Sequence, residues 1–275
     1  MHIITLTTDL GTKDYLVASI KGILLTQISN IQIVDVTHQL SSDNYIQSAY
    51  ICSNTIKNFP KNTIHFILNN VFEYSPTEIL LASYKNQFIV CSNNGLLTMI
   101  TDEPPENVYS IPFESTNTIS LLEFVKKAVI IISKIILKEP FESFAAKAKN
   151  VVIKNNLQPA IFDNHIEGHI IFIDNHENVV VNISKEIFEE VRKNRSFKIV
   201  FQRQEIIDTL NMNYEAKESD KIAYFNSAGL LEIAVINGNA ASLFGLSNLS
   251  DNLEKSMEQI MQNMQYYQKV IIYFE

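Results

Sequence analysis

The sequence predicts an α/β N-terminal domain with a largely parallel sheet, followed by a smaller β-barrel-like C-terminal domain. In the first half, apolar strand-like runs alternate with helical patterns of about ten to fifteen residues, which is typical of an α/β layer. From Gln158 onward the runs are short, rich in β-forming residues and separated by turns. We therefore place the N-terminal domain at 1–140, a linker at 141–158 and the C-terminal domain at 159–275.

The N-terminal elements follow from apolar runs and from the residues that interrupt them. Four strands are predicted, at His2–Thr7, Ile31–Val36, Thr63–Leu68 and Gln87–Val90. Apolar residues at helical spacing predict three helices, at Tyr15–Ile28, Asn44–Asn58 and 121–137, and Pro140 ends the last of these. Prolines at 104, 105 and 112 predict an irregular segment before that last helix.

The C-terminal elements are mostly short strands. Four are predicted, at Ile166–Ile173, Asn178–Ile183, Ser196–Phe201 and Lys221–Phe225. Residues 226–243 predict a strand, a turn and a strand. An added helix is predicted at 250–265 because five apolar side chains share one face, and a last strand is predicted at Val270–Phe274.

The charge and the cysteines exclude several classes of protein. With 22 basic and 30 acidic residues the net charge is −8, which argues against a nucleic-acid partner and gives no support for binding an anionic membrane. Cys52 and Cys91 are too few for a disulfide framework or a four-cysteine zinc site, and both lie in apolar contexts. No signal peptide or membrane span is evident, so we expect a cytoplasmic protein.

Glycine is scarce. The chain has seven glycines in 275 residues, whereas a typical share is about 7%. Neither the P-loop string nor the Rossmann G-x-G-x-x-G string is present, and there is no G-x-S-x-G elbow for a serine nucleophile. The few glycines are therefore expected where a side chain is not tolerated.

Two polar strings end predicted strands, where ligands bind in open α/β sheets. In the first, Thr7 to Asp14, Asp9 is a candidate acceptor for two ribose hydroxyls, because a carboxylate only accepts. The structural alternative is that Asp14 caps the next helix and Asp9 makes a turn. In the second string, His38 is either a ligand contact or general base, or it hydrogen-bonds a neighbouring loop.

Three further strings combine glycine with polar residues. Asn94-Gly95 predicts a turn. Residues 164–178 hold three histidines, but His165 and His169 would lie about 13 Å apart on a strand, so no metal site is predicted. Small residues around Asn237-Gly238 would let a flat ring approach the backbone, or they form an ordinary hairpin.

Taken together, the order of these strings resembles the S-adenosylmethionine hydroxide adenosyltransferase family, whose relatives include the fluorinase and the chlorinase. The resemblance runs nearly end to end. It rests on TTDLGTKD at 7–14, DVTH at 35–38, NNGLL at 93–97, NHIEGHIIFIDNHEN at 164–178 and NSAGLLEIAVINGNAASLFGL at 226–246.

The resemblance implies a homotrimer with S-adenosylmethionine bound between the N-terminal domain of one subunit and the C-terminal domain of the next. No cofactor beyond this substrate or ligand is implied. Asp9 would hold the ribose hydroxyls. The other implied ligand-binding residues are Asp14 and Asp174 at the methionine ammonium, Ser227 at its carboxylate beside Asn226, and Asn178, Asn239 and the Ala240 backbone at adenine.

The family reaction is attack of water or hydroxide on the ribose 5′ carbon, which releases methionine and gives adenosine. Hydrolytic members activate water with an Asp and an Arg from a DPGVGTxRR loop and a His from an FHGRD segment. This chain departs from that pattern, with Asn70 at the Asp position, about Thr77 at the Arg position and Ser120 at the His position. Glu73 or Glu78 offers a carboxylate, but the loop has no arginine.

Two functions therefore remain open. The protein hydrolyses S-adenosylmethionine slowly with Asn70, Glu73, Ser120 and His38, or it binds an adenosyl ligand without catalysis, as a sensor or scavenger. A halogenase is less favoured, because TISLLEF at 118–124 suggests no halide pocket. A purely structural trimer is disfavoured by the retained polar residues at strand ends, such as Asp9 and Asp174.

Overall fold

The computed structural model describes residues 1–74, 77–101, 104–113, 120–201, 205–210, 217–244, 246 and 268–275. The chain divides into two units, Met1–Asn156 and Leu157–Glu275. The predicted helix at 250–265 lies outside the described residues. No helix in the described ranges is long and apolar enough to cross a membrane.

The first unit is built on a seven-stranded sheet with the strand order β2-β1-β3-β5-β4-β6-β7. The strands are β1 (His2–Thr8), β2 (Ile31–Thr37), β3 (Ile64–Leu68), β4 (Thr77–Tyr84), β5 (Gln87–Ser92), β6 (Asn107–Phe113) and β7 (Ala146–Lys147). The helices are α1 (Leu16–Gln27), α2 (Tyr45–Asn58), α3 (Leu96–Ile100) and α4 (Leu121–Ile136), with a 3₁₀ turn at Phe141–Ser143.

This sheet is mixed, which corrects the expectation of a largely parallel one. Strands β2, β1, β3 and β5 are parallel neighbours, whereas β4 pairs antiparallel with β5 and β6, and β6 pairs antiparallel with β7. The cause is the two-residue turn Lys85-Asn86, whose φ angles of +49° and +60° suit a hairpin and therefore an antiparallel pair.

The segment predicted as irregular contains β6. Its Pro112 faces Glu78 of β4. On the other side, β7 pairs only with Tyr109 and Ser110. Pro112 therefore lies beyond the β7 pairing, where a missing N–H removes no ladder bond to that strand.

Helices cover both faces of the first sheet, so its central strands contribute to two cores. Phe66 of β3 lies in one core with Leu24 of α1 and Phe124 of α4. The next residue, Ile67, lies in the other core with Ile56 of α2. All five residues of β3 are buried, as expected for a parallel strand covered on both faces.

Both cysteines belong to the second of these cores. Cys52 and Cys91 are free and buried, as the apolar contexts predicted. Burial raises the pKa of each thiol to about 12, so both remain protonated and unreactive at neutral pH.

The second unit is an antiparallel sheet curled into a half-barrel, with the strand order β12-β11-β15-β9-β10-β14-β13 and β8 paired to β9. The strands are β8 (Ala160–Ile161), β9 (His165–Ile173), β10 (Val179–Ser184), β11 (Phe197–Phe201), β12 (Glu205–Ile207), β13 (Lys221–Phe225), β14 (Leu230–Val235) and β15 (Lys269–Phe274). Its core is aromatic, because the Phe188 ring lies 5.2–5.7 Å from the rings of Phe197, Phe225 and Phe274.

Within its described residues, the second unit has two helices, α5 (Lys185–Arg192) and α6 (Ala240–Leu243). The sequence predicted neither helix: α5 had no counterpart, and α6 lies where a second strand was predicted within 226–243, which corrects that prediction. The signals of α5 were present, since the Ser184 hydroxyl accepts the Ile187 N–H as an N-cap and Phe188 is the apolar residue that it buries.

Candidate functional site

Asp9 follows β1, which lies between β2 and β3 in the first unit. The Asp9 N–H donates to the Leu68 carbonyl at 3.2 Å, and its Oδ2 accepts the Asn70 N–H at 2.7 Å. Asn70 has a φ of +42°, so this bond holds a turn in the left-handed region. Burial raises the pKa of the Asp9 carboxyl, although the backbone hydrogen bonds oppose that shift.

Asn94 holds the same turn from another strand end. Its Nδ2 donates to the carbonyls of Asn69 at 2.6 Å and Asn70 at 3.2 Å. Its Oδ1 accepts the Leu96 N–H at the start of α3. The sequence identified Asn94-Gly95 as a turn and as part of the NNGLL string, and the structure shows that the asparagine also holds the turn at Asn70.

Glu73 lies on the turn that Asp9 holds, because its N–H donates to the Asn70 carbonyl at 3.2 Å. Its carboxylate accepts the Tyr45 hydroxyl at 2.5 Å and the Lys154 ammonium at 2.8 and 2.9 Å. The Lys154 Nζ also lies 3.4 Å from the centre of the Tyr45 ring. Burial and the Glu73 carboxylate raise the pKa of Tyr45, so its phenol stays protonated.

We name these three side chains the Tyr45–Glu73–Lys154 cluster. Its lysine, Lys154, was not predicted from the sequence. It lies in the segment predicted to be a linker and is 81 positions from Glu73. Gly95 gives it room, since a Cβ on Gly95 would meet Lys154 Cγ at 2.5 Å. No local pattern predicts a contact over such a separation.

Asp14 and His38 make contacts within the first unit. Asp14 is exposed, and its Oδ1 accepts the N–H of Leu16, the first residue of α1, at 2.9 Å; the N-cap residue itself is Tyr15, which makes no side-chain capping bond. His38 is buried, with Nδ1 3.1 Å from the Thr8 hydroxyl and Nε2 3.3 Å from a carboxylate oxygen of Asp35. Asp14 thus supports the first turn of α1, and His38 contacts the end of β1 and a residue of β2 rather than a loop.

Ser120 and Glu78 are not joined to this turn. Ser120 precedes α4 and makes no side-chain capping bond. Glu78 of β4 accepts the Asn93 Nδ2 at 2.8 Å. In the described ranges, no hydrogen bond joins either side chain to Asn70 or Glu73.

In the second unit, Asp174 and Asn178 form a tight turn between β9 and β10. Asp174 Oδ1 accepts the N–H groups of His176 and Asn178, both at 2.8 Å. Asp174 Oδ2 accepts Asn178 Nδ2 at 3.2 Å. The carboxylate predicted to face a ligand ammonium therefore also shapes its own loop.

Glu232 of β14 joins this turn to the next hairpin. Its side chain is buried and accepts Asn178 Nδ2 at 3.1 Å, Asn226 Nδ2 at 2.9 Å and the Tyr224 hydroxyl. Burial and this carboxylate raise the pKa of Tyr224. Sequence reasoning missed Glu232, although a lone acidic residue inside the apolar run LLEIAV was an available signal.

Asn226 and Ser227 lie in the turn that connects β13 to β14. Asn226 Oδ1 accepts the N–H groups of Ala228 at 2.9 Å and Leu230 at 3.2 Å, so this side chain maintains the turn. Gly229 has a φ of +77° and completes it. Ser227 is exposed at the tip.

Asn239 and Ala240 begin α6. Asn239 Oδ1 accepts the Ser242 N–H at 2.7 Å as an N-cap, and Ala240 is buried. The next residue, Ala241, donates its N–H to the Glu177 carbonyl at 2.9 Å. That bond brings the start of α6 to the Asp174–Asn178 turn.

The three histidines of this region do not form a metal centre. His165 and His169 both lie on β9, which confirms the strand reading. Among the residues that the structure describes, no group of three or more His, Cys, Asp and Glu side chains is placed to hold an ion.

Comparison with known proteins decides the family. Residues 4–135 match the S-adenosylmethionine hydroxide adenosyltransferase N-terminal domain, and residues 168–251 match the C-terminal domain of the same family. The chain belongs to the S-adenosylmethionine hydroxide adenosyltransferase family.

Individual relatives of this adenosyltransferase-family chain are distant. It is 20% identical over 265 residues to the (R)-S-adenosyl-L-methionine hydrolase of Methanocaldococcus jannaschii, covering 91% of this chain and 95% of that one. A structure of an uncharacterized conserved protein from Thermotoga maritima superposes with a TM-score of 0.79 at 18% identity, covering 98% and 99% of the two chains. A conserved hypothetical protein from Thermus thermophilus gives 0.69 at 18% identity, with both chains covered fully.

The family assignment gives the Tyr45–Glu73–Lys154 cluster a context. Glu73 of this cluster lies in the segment that the family resemblance sets against the DPGVGTxRR pattern, whereas Tyr45 and Lys154 reach it from elsewhere in the unit. The Glu73 carboxylate accepts hydrogen bonds from the Tyr45 phenol and the Lys154 ammonium. The Asp9 carboxylate binds the Asn70 N–H of the same turn. The adenosyltransferase-family chain thus has a cation at this turn, although the loop sequence contains none.

Proposed function

We propose that this protein binds S-adenosylmethionine or adenosine and hydrolyses S-adenosylmethionine slowly to adenosine and methionine. The observation that carries the proposal is the half-buried Asp9 carboxylate at the end of β1, held on the turn that presents Glu73. One unit would thus offer an acceptor pair for ribose hydroxyls and a second carboxylate close by.

The ligand would draw on both units. We assign Asp9 to the ribose, Asp14 and Asp174 to the methionine ammonium, and Ser227 to its carboxylate. Asn178, Asn239 and the Ala240 backbone are assigned to adenine, and Asn226 supports their loop. We further propose a cytoplasmic homotrimer in which the two sets come from neighbouring subunits, as the family resemblance implies.

The proposed reaction is attack of water on the ribose 5′ carbon. A carbon–oxygen bond forms while the carbon–sulfur bond breaks, and the electron pair of the latter passes to the sulfonium sulfur. Neutral methionine leaves, and the water proton passes to the Glu73 carboxylate, which gives adenosine. Asn70 and Ser120 are assigned to orient the water.

A slow rate is expected because Glu73 already accepts hydrogen bonds from Tyr45 and Lys154. Those bonds occupy lone pairs that a general base would use, and a positioned general base contributes typically about 10²–10⁴-fold. The same observation favours a second candidate function, an adenosyl-ligand binding protein without catalysis.

Incubation of the purified protein with S-adenosylmethionine, followed by chromatography for adenosine and methionine, tests the proposal. Equal yields of both products above a protein-free blank support slow hydrolysis. A calorimetric binding signal without products supports the binding protein. Absence of both, at millimolar ligand, rejects both functions.

The proposed trimer is tested separately, by light scattering coupled to size exclusion. A mass near three times the 31.3 kDa chain is expected. A monomer that binds ligand fully would reject sites shared between subunits.

A further inference from the structure

The amide of Asn178 is fixed in one orientation by two carboxylates. Its Nδ2 lies 3.2 Å from Asp174 Oδ2 and 3.1 Å from Glu232 Oε1. An amide nitrogen carries two hydrogens and a carboxylate only accepts, so the nitrogen must face these oxygens and both hydrogens are used. The carbonyl oxygen, Oδ1, therefore points the other way.

The orientation of the Asn178 amide is stable because the Glu232 carboxylate is fixed by its own hydrogen bonds. The side chain is only 7% exposed. Its oxygens accept three donors, from Asn178, Asn226 and Tyr224. A flip of the Asn178 amide would place its carbonyl oxygen against two carboxylates and leave their oxygens without these donors, which is costly in a buried place.

Asn178 thus presents an acceptor and no donor. It is half-buried, and its Oδ1 accepts no hydrogen bond from the part of the chain that the structure describes. On the base edge of adenine, N7 is an acceptor and the 6-amino group is the donor. An acceptor-only Asn178 can pair with the 6-amino group and not with N7.

We infer that Glu232, acting through Asn178, makes the site selective for 6-aminopurine ligands over 6-oxopurine ligands. Glu232 is a positioning residue in this scheme and does not touch the base. The inference rests on the proposed function, since it needs the base of an adenosyl ligand at Asn178. It goes beyond that proposal by giving Glu232, the buried one of the two carboxylates that hold the Asn178 amide, a part in the discrimination.

Calorimetry with three nucleosides tests the inference on the wild-type protein. Adenosine carries an amino group at position 6, purine riboside carries hydrogen and inosine carries an oxo group. We expect affinity to fall in that order, with inosine at least about tenfold weaker than adenosine, because its oxygen would face the Asn178 oxygen. Equal affinity for adenosine and inosine overturns the inference while the proposed function stands.

Glu232→Gln tests the assignment to one residue. A carboxamide can turn its own NH₂ toward Asn178, which removes one of the two acceptors and leaves only the 3.2 Å bond to Asp174 Oδ2, so the preference for adenosine over inosine should fall by several-fold. Tyr224→Phe is the matched control, since it removes one donor and keeps the carboxylate. It should retain the preference.

The outcomes separate cleanly. Retained selectivity in a folded Glu232→Gln protein removes Glu232 from the scheme. If that variant does not fold, the wild-type order of the three nucleosides still tests the selectivity itself, and equal affinities overturn the inference. Binding of none of the three rejects the proposed function and the selectivity with it.

Discussion

The side chain of Lys154 passes directly over Gly95, so that a Cβ at position 95 would lie 2.5 Å from Lys154 Cγ. Gly95 also has a φ of +93°, which side chains rarely adopt. The missing side chain at 95 is therefore a requirement for the ion pair between Lys154 and Glu73.

Gly95→Ala should destabilise the protein by more than about 1 kcal/mol, because both the backbone conformation and the space are incompatible with a methyl group. Gly22→Ala is the control. Gly22 lies within α1 with nothing within 4 Å of an added Cβ, so that variant should be stabilised by about 0.5–1 kcal/mol. Urea unfolding measures both, and equal effects would contradict the steric argument.

Asp9→Ala should weaken adenosine binding by about 10- to 100-fold, since hydrogen bonds to a charged group contribute about 1.5–3 kcal/mol. Asp9→Asn keeps an acceptor for the Asn70 N–H and separates loss of the turn from loss of the charge. Calorimetry gives both affinities. An Asp9→Ala protein that binds as tightly as wild type would show that the ribose lies elsewhere.

Glu73→Gln should lower adenosine production by up to about 10²-fold while ligand affinity changes little, because a base already engaged by Tyr45 and Lys154 contributes at the low end of the usual range and the binding groups remain. Glu78→Gln is the matched control, a carboxylate on β4 that accepts from Asn93. Chromatographic rates measure the difference. Loss of turnover in Glu78→Gln alone would transfer the role of base to Glu78.

The buried His65 should make the free energy of unfolding depend on pH. It is buried between the Thr5 hydroxyl at 2.8 Å and Gln87 Oε1 at 2.6 Å, and burial lowers the pKa of its imidazole from 6.5. As the pH falls, the unfolded chain takes up a proton at this position before the folded chain does. The unfolding free energy should therefore decrease below about pH 6.5 and not above it.

Denaturant unfolding at pH 5 and pH 7 checks this sign. His65→Gln should show a smaller loss between the two pH values than wild type, whereas the exposed His176→Gln should behave as wild type. An unchanged loss in His65→Gln would assign the pH dependence to other groups.

Several elements could be predicted because their signals are local. Strands β1, β2, β3 and β9 follow from apolar runs, and α4 from helical spacing ended by Pro140. The hairpin strand β4 was missed because Lys85-Asn86 is not a usual hairpin dipeptide, and only the positive φ angles in the structure reveal the turn.

The candidate site was predictable where a polar residue ends a strand, as at Asp9. It was not predictable where partners meet over long separations. Lys154 reaches Glu73 across 81 positions, and Glu232 reaches Asn178 across 54. Which polar residues meet at such distances depends on strand order, and the strand order was only partly evident in the sequence.

The Lys154–Glu73 ion pair also has a consequence for how the first unit folds during synthesis. Contacts between residues far apart in sequence form late, since the intervening chain must first be organised. A nascent chain that has emerged only as far as residue 140 would contain Glu73 but not Lys154, the cation that pairs with it. The electrostatic character of this turn is thus set by the last segment of the unit to emerge during synthesis.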